Sequence, residues 1–320
     1  MGIFSKPEVI ILKESNSAKK YLELLEELLP KTSEEIKSKI EKEIIIVKAG
    51  IAGENNILFE LKNSNMDMYV LQDIYIETED GRGAQIDFIV ITEKITFFIE
   101  CKNLVGNIDV GNFVRTVTYG RKKYKEGIYS PITQNERHME IVKESKLENR
   151  NLLAGMIVKK SFHSLNRSLV VLANPKTVLN DRYAKKEVKE KVIRADQLIT
   201  TIKKIVAESR MPSLSKKEMK EFAESFLKKN QENRKNYIEK YEELTKEIEL
   251  EKGNTFKVEE LKDNSTEESS LKETEMRLIC PKCGKQLVLR TARRGANAGR
   301  QFYGCSNFPK CRFIMNIADE

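Results

Sequence analysis

The chain has 320 residues, of which 40% are hydrophobic and 33% are charged. This composition is sufficient for a folded core and excludes disordered and collagen-like classes of protein. No apolar run approaches the roughly 18 residues of a membrane span, and the N-terminal "MGIFSKPEV" is not typical of a signal peptide. We therefore expect a cytoplasmic protein that does not contact membranes, with reduced cysteines.

The net charge of +8 is unevenly distributed along the chain. Residues 276–320 contain nine Lys and Arg against two acidic residues, whereas residues 239–275 contain six Lys against thirteen acidic residues. An acidic connector thus separates two basic regions. This pattern favours a polyanionic partner such as a nucleic acid.

The first part of the chain is predicted to be helical. Residues 17–48 carry leucines and isoleucines at helical spacing. Gly50 and Gly53 are interpreted as a break before a second helix, which places Glu54 near its N-terminus, where the macrodipole favours an anion. β-branched and aromatic residues then predict a series of strands, at 68–78, 84–91 and 95–101.

The remaining pattern alternates between helices and strands. Residues 104–130 are interpreted as loop-rich. Further elements are predicted as a helix at 130–149, strands at 152–160 and 168–174, a strand running into a helix at 192–210, and a helix opened by the capping box of Ser215 and Glu218. The predicted division is an N-terminal helical segment (1–48), an α/β domain (49–212), a helical extension (213–252), a flexible acidic linker (253–275) and a small C-terminal module (276–320).

Four cysteines are clustered in the C-terminal module. Cys280 and Cys283 are separated by two residues, and Cys305 and Cys311 by five. Two such pairs can surround one zinc ion tetrahedrally. Binding of that ion would supply most of the folding free energy of a small module. Unligated thiols and an iron site remain as alternatives.

The same module is rich in cations and aromatic rings. Cations contact phosphates and rings stack on bases, a combination that suits single-stranded DNA. Some of the rings must instead pack around the metal, because so small a module has little other core. The candidate nucleic-acid contacts are Arg290, Arg293, Arg294, Arg300, Phe302, Tyr303, Lys310 and Arg312.

The stretch "QIDFIVITEKITFFIECKN" (85–103) places charges within a hairpin that is otherwise apolar. Residues two apart on a strand share a face, so Glu100 and Lys102 point the same way and Cys101 the opposite way. Asp87 lies at a similar height on the neighbouring strand. Two carboxylates and the backbone carbonyl of Cys101 would suit magnesium, with Lys102 next to the attacking water. Ordinary ion pairs at a solvated strand end would also fit this spacing.

Two resemblances go beyond these patterns. The ordered pieces "AGENNILFEL", "VLQDIYI", "GAQIDFIVIT", "TFFIECKNLVGNI", "SPITQNERHMEIVK", "SLVVLAN" and "VIRADQLITTI" resemble the nuclease-related domain (NERD) of the PD-(D/E)xK superfamily, over residues 45–210. "CPKCGKQLVLRTARRG" followed by "RQFYGCSNFPKC" is similar to the four-cysteine zinc module of type IA DNA topoisomerases. The first resemblance implies an α/β fold with a central mixed sheet flanked by helices, and the second implies a zinc ribbon.

The resemblances also imply roles for individual residues. Asp87 and Glu100 would bind Mg²⁺ or Mn²⁺, Lys102 would be the catalytic lysine, Glu54 would complete the metal site, and Gln134 would orient the reacting groups or the DNA. The implied function is a magnesium-dependent DNA nuclease that a zinc-binding module tethers to DNA. A non-catalytic DNA-binding or scaffold protein in repair, recombination or defence is the alternative, and an RNA substrate also remains open.

Overall fold

The structure is a computed structural model, and it describes residues 6–14, 17–119, 122–148, 150–231, 237–260, 287–291, 301–312 and 314–316. The chain divides into two compact units, residues 1–257 and 258–320.

The first unit contains ten strands among its described residues. In chain order these are β1 (Val9–Lys13), β2 (Met68–Glu77), β3 (Gly83–Ile91), β4 (Thr96–Lys102), β5 (Gly106–Asp109), β6 (Val114–Tyr119), β7 (Lys122–Gly127), β8 (Asn166–Leu172), β9 (Thr177–Asn180) and β10 (Val192–Arg194). Six strands form a mixed sheet in the order β1-β2-β3-β4-β8-β10. The pairs β2–β3 and β3–β4 are antiparallel, and the other three pairs are parallel. The remaining four form a smaller sheet in the order β7-β6-β5-β9.

Helices cover both faces of the central sheet. The α-helices among the described residues are α1 (Ser17–Leu28), α2 (Glu34–Lys62), α3 (Pro131–Leu147), α4 (Leu152–Leu165), α5 (Lys186–Lys191), α6 (Leu198–Glu208), α7 (Lys216–Lys229) and α8 (Tyr237–Glu260). One core packs α2 and α6 against the sheet through residues such as Ile57, Phe97 and Ile202. The other packs α3 and α7 against the opposite face, around Phe98 and Phe226. The predicted α/β fold with a helix-flanked mixed sheet is therefore confirmed.

The predicted hairpin and its neighbours are observed. β2, β3, β4 and β8 correspond to the strands expected from β-branched residues, and the hairpin turn is closed by the Thr92 hydroxyl donating to the Ile95 carbonyl at 2.7 Å. The capping box is also present, with the Glu218 N–H donating to Ser215 Oγ and the Ser215 N–H donating to the Glu218 carboxylate.

The strand predicted at 152–160 is wrong, because these residues belong to α4. Asn151 caps this helix by accepting a hydrogen bond from the Ala154 N–H at 2.9 Å. Its apolar residues are not buried as in a strand of the sheet, since Leu152 and Ile157 are 81% and 68% exposed. A short apolar run does not distinguish a strand from a helix by itself.

The loop-rich interpretation of 104–130 is also wrong, because β5, β6 and β7 lie there. Their polar, exposed residues lack the apolar alternation by which strands are detected. In addition, α8 continues to Glu260 and so occupies the first part of the predicted linker, while residues 261–275 lie outside the described residues.

Gly50 and Gly53 do not break a helix, because α2 runs through both of them and through the predicted boundary at residue 48. Gly53 is needed for close packing. A Cβ added there would lie 2.7 Å from Asn103 Cβ and 3.2 Å from Cys101 Sγ, whereas one at the exposed Gly50 would meet nothing within 4 Å. Gly53 therefore lets α2 approach the end of β4.

The second unit contains a small antiparallel sheet. Its described strands are β11 (Leu287–Thr291), β12 (Gln301–Cys305) and β13 (Ile314–Asn316), in that order. Leu287 pairs with Cys305 and Thr291 with Gln301, so β11 and β12 run side by side along their length.

The two helical glycines give a matched test of this packing. Gly50→Ala should stabilise the protein by about 0.5–1 kcal/mol, because alanine is the better helix former. Gly53→Ala should destabilise it by about 1–3 kcal/mol, because the added methyl overpacks the contact with β4. Urea unfolding monitored by circular dichroism measures both changes, and a stabilising Gly53→Ala would contradict the packing described.

Candidate functional site

Both β2 and β3 change the face that they present to the helices at one level of the sheet. Leu71 and Ile74 are three residues apart, as are Ile86 and Ile89, yet each pair packs on the side of α3 and α7. In a regularly pleated strand, successive side chains point to opposite faces, so residues three apart should lie on opposite sides. The alternation of faces therefore shifts by one residue between these positions in each strand.

Asp73 and Asp87 lie at this phase shift. Asp73 has a positive φ of 59°, a conformation that Asp tolerates better than most residues. Its carboxylate accepts hydrogen bonds from Gln85 and, at 2.6 Å, from the Ser17 hydroxyl. Backbone strain of this kind recurs at functional sites.

Asp87 lies next to the end of β4. Phe88 pairs with Ile99, and two residues beyond Ile99 the Cys101 N–H donates to Asp87 Oδ2 at 2.7 Å. Burial, together with the charges of Glu100 and Glu54, holds the pKa of Asp87 well above its ordinary value. The Asp87 carboxylate therefore lies in a poorly hydrated environment that is already negatively charged.

Glu100 and Lys102 share a face of β4, as their spacing predicts. Lys102 Nζ donates to Glu100 Oε1 at 2.7 Å and to Gln134 Oε1 at 3.1 Å. Burial raises the pKa of Glu100, against the effect of Lys102. Burial lowers the pKa of Lys102, but attraction to Glu100 outweighs it, so this pKa lies above its usual value and the amine is an ammonium at neutral pH.

The position of Gln134 is fixed by the residue beside it. Asn135 is fully buried, and its Nδ2 donates to the carbonyls of Phe98 and Leu169 at 2.9 and 3.1 Å. These bonds attach α3 to β4 and β8. The first turns of α3 are thereby held beside Glu100 and Lys102.

His138 lies one turn beyond Gln134 on α3 and was not among the predicted site residues. Its Nδ1 is 3.6 Å from Glu100 Oε2, and both atoms are buried without a hydrogen-bond partner among the described residues. Burial, with repulsion from Lys102, lowers the pKa of His138 to about 4, so the imidazole is neutral at neutral pH. Helical spacing from Gln134 is the sequence signal that could have identified it.

Glu54 approaches the same group from α2. Its carboxylate accepts a hydrogen bond from Gln72 Nε2 at 2.8 Å, and its charge contributes to the raised pKa of Asp87. Burial raises the pKa of Glu54 as well. Cys101 packs on the α2 side, and burial next to carboxylates raises the pKa of its thiol well above the usual value, which argues against a thiolate nucleophile.

The structure thus gathers the predicted residues Glu54, Asp87, Glu100, Lys102 and Gln134 in one region. Within the described ranges, no three His, Cys, Asp or Glu side chains are close enough to bind a metal ion without other ligands. A site made of two carboxylates and a backbone carbonyl does not need a third such side chain. Glu100 Oε2, which is buried and has no hydrogen-bond partner in the described part of the chain, and the mutually repelling carboxylates are suited to a divalent cation, which would satisfy both.

The described half of the zinc module has the form of a cysteine knuckle. Cys305 and Cys311 are both buried, and the Asn307 N–H donates to Cys305 Sγ at 3.4 Å. The Cys311 N–H donates to the Asn307 carbonyl at 2.9 Å and closes the turn. Donation to sulfur stabilises the thiolate form that zinc requires.

The predicted nucleic-acid contacts are only partly covered by the structure. Arg290, Lys310 and Arg312 are exposed, and the Arg290 guanidinium lies 5.8 Å from the centroid of the Phe308 ring. The predicted contacts Arg293, Arg294 and Arg300 lie outside the described residues, as do the predicted zinc ligands Cys280 and Cys283. Phe302 and Tyr303 are described only as backbone of β12.

Comparisons with known proteins match two parts of the chain. Residues 49–173 match the nuclease-related domain family, and residues 278–320 match the topoisomerase DNA binding C4 zinc finger. No solved structure matches the chain with significance. No helix in the part of the chain that the structure describes is long and apolar enough to cross a membrane.

Two curated relatives match shorter stretches. DNA topoisomerase 1 of Methanocaldococcus jannaschii is 47% identical over 53 residues in the region of the zinc module, which is 16% of this chain and 6% of that protein. An uncharacterized protein of Bacillus anthracis is 34% identical over 94 residues, which is 29% of this chain and 44% of that protein. The chain therefore aligns with less than half of either relative. The two matched regions assign a nuclease-related domain to residues 49–173 and a topoisomerase-type C4 zinc finger to residues 278–320.

Proposed function

We propose that this protein is a DNA nuclease that hydrolyses phosphodiester bonds with the help of Mg²⁺ or Mn²⁺. The observation that carries the proposal is the convergence of Asp87, Glu100 and Lys102 at the end of one hairpin, with Glu100 Oε2 buried and without a hydrogen-bond partner among the residues that the structure describes. The match to a nuclease-related family supports this assignment. We place the protein with DNA in the cytoplasm, where a four-cysteine zinc site remains reduced.

Asp87 and Glu100 would hold the cation, together with the Cys101 carbonyl. When bound, the cation supplies Lewis-acid polarisation of the phosphate and activation of water. Glu54 would complete the metal site, since its charge acts on Asp87. The Cys101 N–H orients the Asp87 carboxylate through its hydrogen bond.

Lys102 has the geometry of a positioning and charge-stabilising group. Its ammonium is held between Glu100 and Gln134, so its direction is fixed before substrate binds. Such preorganised charge stabilises the negative charge that develops on a phosphate in the transition state. Gln134 holds Lys102 through its side-chain oxygen, and the neutral His138 imidazole excludes water from the second oxygen of Glu100.

The zinc module would act as a tether. Its exposed cations Arg290, Lys310 and Arg312 can contact phosphates, and the DNA-binding description of its family supports this. A connected binding module raises the local concentration of DNA at the nuclease site without new contacts there. We include single-stranded DNA among its ligands, because cations and rings together suit unpaired bases.

Cleavage kinetics test the catalytic assignment. Asp87→Asn and Lys102→Met should each lower the single-turnover rate on DNA with Mg²⁺ by at least about 100-fold, because each removes charge at the reacting phosphate. Glu93→Gln provides a matched control, since this exposed carboxylate lies at the turn of the same hairpin. Full activity in Asp87→Asn protein would reject the site, and binding without any turnover would favour the non-catalytic alternative.

Thermal unfolding tests cation binding independently of catalysis. Without divalent cations, Asp87→Asn should unfold at a higher temperature than the wild type, because it removes one of several buried like charges. Mg²⁺ at about 100 times its dissociation constant should stabilise the wild type by about 2.7 kcal/mol but leave Asp87→Asn unchanged. The Glu93→Gln control should behave as the wild type, and an equal Mg²⁺ shift in all three proteins would contradict the proposal.

Metal analysis separates the zinc module from the nuclease site. We expect one zinc ion per chain, lost in Cys305→Ser because a ligand is removed. This variant should bind DNA more weakly yet hydrolyse a small phosphodiester at the wild-type rate, whereas Asp87→Asn should retain its zinc. Atomic emission spectroscopy and an affinity measurement provide the readouts, and a Cys305→Ser protein with full zinc content would disprove the ligand assignment.

A further inference from the structure

The smaller sheet carries an outer pair of strands that the proposed site does not use. We call β6 and β7 (Val114–Tyr119 and Lys122–Gly127) the basic ribbon. All six residues of β7 are exposed, and none of the side chains described on β6 is fully buried. The ribbon therefore contributes almost nothing to the hydrophobic cores, and its sequence is not explained by stability.

The charge of the ribbon is mainly positive. Arg115 is paired with Glu126 across the two strands at 2.7 Å. Lys122, Lys123 and Lys125 remain, and no acidic side chain in the described ranges lies within ion-pair distance of them. Lysines on an edge strand also discourage pairing with other chains, so charge alone does not define a binding surface.

The register of the ribbon arranges two of these charges on one face. Lys123 lies opposite Thr118, and Lys125 lies opposite Thr116. Cross-strand partners share a face of a sheet, so two ammonium groups and two hydroxyls project together. Ammonium and hydroxyl donors are the groups that contact phosphate and sugar oxygens in complexes with DNA.

The root of the ribbon is attached to the segment that follows Lys102. Arg115 Nε donates to the Val105 carbonyl at 2.7 Å. Gly106 has a φ of +113°, and a Cβ there would lie 2.6 Å from the Thr116 carbonyl oxygen, so the two strands meet more closely than another residue would allow. The ribbon is thus fixed in direction by residues close to the catalytic lysine.

The chain leaves the ribbon at Gly127, which pairs with Val114 at the root, and leads into the helix that carries Gln134. Exposed Tyr129 lies between the ribbon and α3, and the Arg137 guanidinium is 5.7 Å from the centroid of its ring. The chain therefore leaves the site after Lys102, forms the ribbon, and returns to the site at α3. Arg137 of α3 is a further cation beside Tyr129.

We propose that the basic ribbon binds duplex DNA in the major groove and directs one strand toward the nuclease site. The major groove is about 12 Å wide and admits a two-stranded β-ribbon. Contacts of Lys123 and Lys125 with phosphates would position the duplex without reading its sequence. The inference rests on the proposed function for the choice of DNA as the polyanion.

Binding by the full chain tests this surface. Lys123→Gln combined with Lys125→Gln should weaken binding to a duplex of about 30 base pairs by about 10-fold near 150 mM salt, and should reduce the slope of log K against log salt by about 2. The control is Lys217→Gln with Lys220→Gln, which makes the same charge change on α7. The Leu214 N–H donates to the Glu93 carbonyl, so the start of α7 lies at the end of the hairpin remote from Lys102. This control should bind within about twofold of the wild type.

Two further measurements separate the possible outcomes. Hydrolysis of bis(p-nitrophenyl) phosphate should be unchanged in the ribbon variant, while KM for duplex DNA rises. Duplex binding equal to that of the α7 control would overturn the proposal, and so would an equal loss of affinity for single-stranded DNA of the same length. If neither the wild type nor the variant hydrolysed phosphodiesters but the variant alone lost duplex affinity, the ribbon would stand and the nuclease proposal would fail.

Discussion

The burial of Asp87, Glu100 and Glu54 in one region of the sheet is the constraint on which the rest of the site depends. Lys102 satisfies one oxygen of Glu100, and the other oxygen is left buried without a partner within the described structure. Burying an ion costs several kcal/mol unless opposite charge compensates for it. Burial raises the pKa values of Asp87, Glu100 and Glu54, and the ammonium of Lys102 does not offset this effect at Asp87 or Glu100. A divalent cation would supply the missing positive charge.

The fold maintains this arrangement through packing on both sides of the sheet. On one side, Gly53 allows α2 to approach β4 and brings Glu54 with it. On the other, Asn135 attaches α3 to two strands and places Gln134 beside Lys102. The phase shift at Asp73 and Asp87 interrupts the regular pleat between these helices. The extensive apolar cores elsewhere in the sheet can support the cost of such a site.

Sequence patterns predicted the strand-borne part of the site because strand geometry is simple. Alternation fixes the shared face of Glu100 and Lys102, and the length of the hairpin turn fixes the height of Asp87. The contribution of the helices was harder to predict, because it depends on contacts distant in sequence. Gly53 was interpreted as a helix break, since its close neighbour Asn103 is invisible in a linear pattern. His138 carried no motif, and the basic ribbon lacked the apolar alternation that reveals strands.

The central claim is that Asp87, Glu100 and the Cys101 carbonyl surround one divalent cation. Anomalous diffraction from crystals of the protein grown with Mn²⁺ measures this most directly, because manganese scatters anomalously and occupies sites of oxygen ligands. We predict an anomalous peak about 2.0–2.3 Å from oxygens of Asp87 and Glu100. Absence of that peak in crystals that bind Mn²⁺ elsewhere, with the Asp87 and Glu100 carboxylates still side by side, would contradict it.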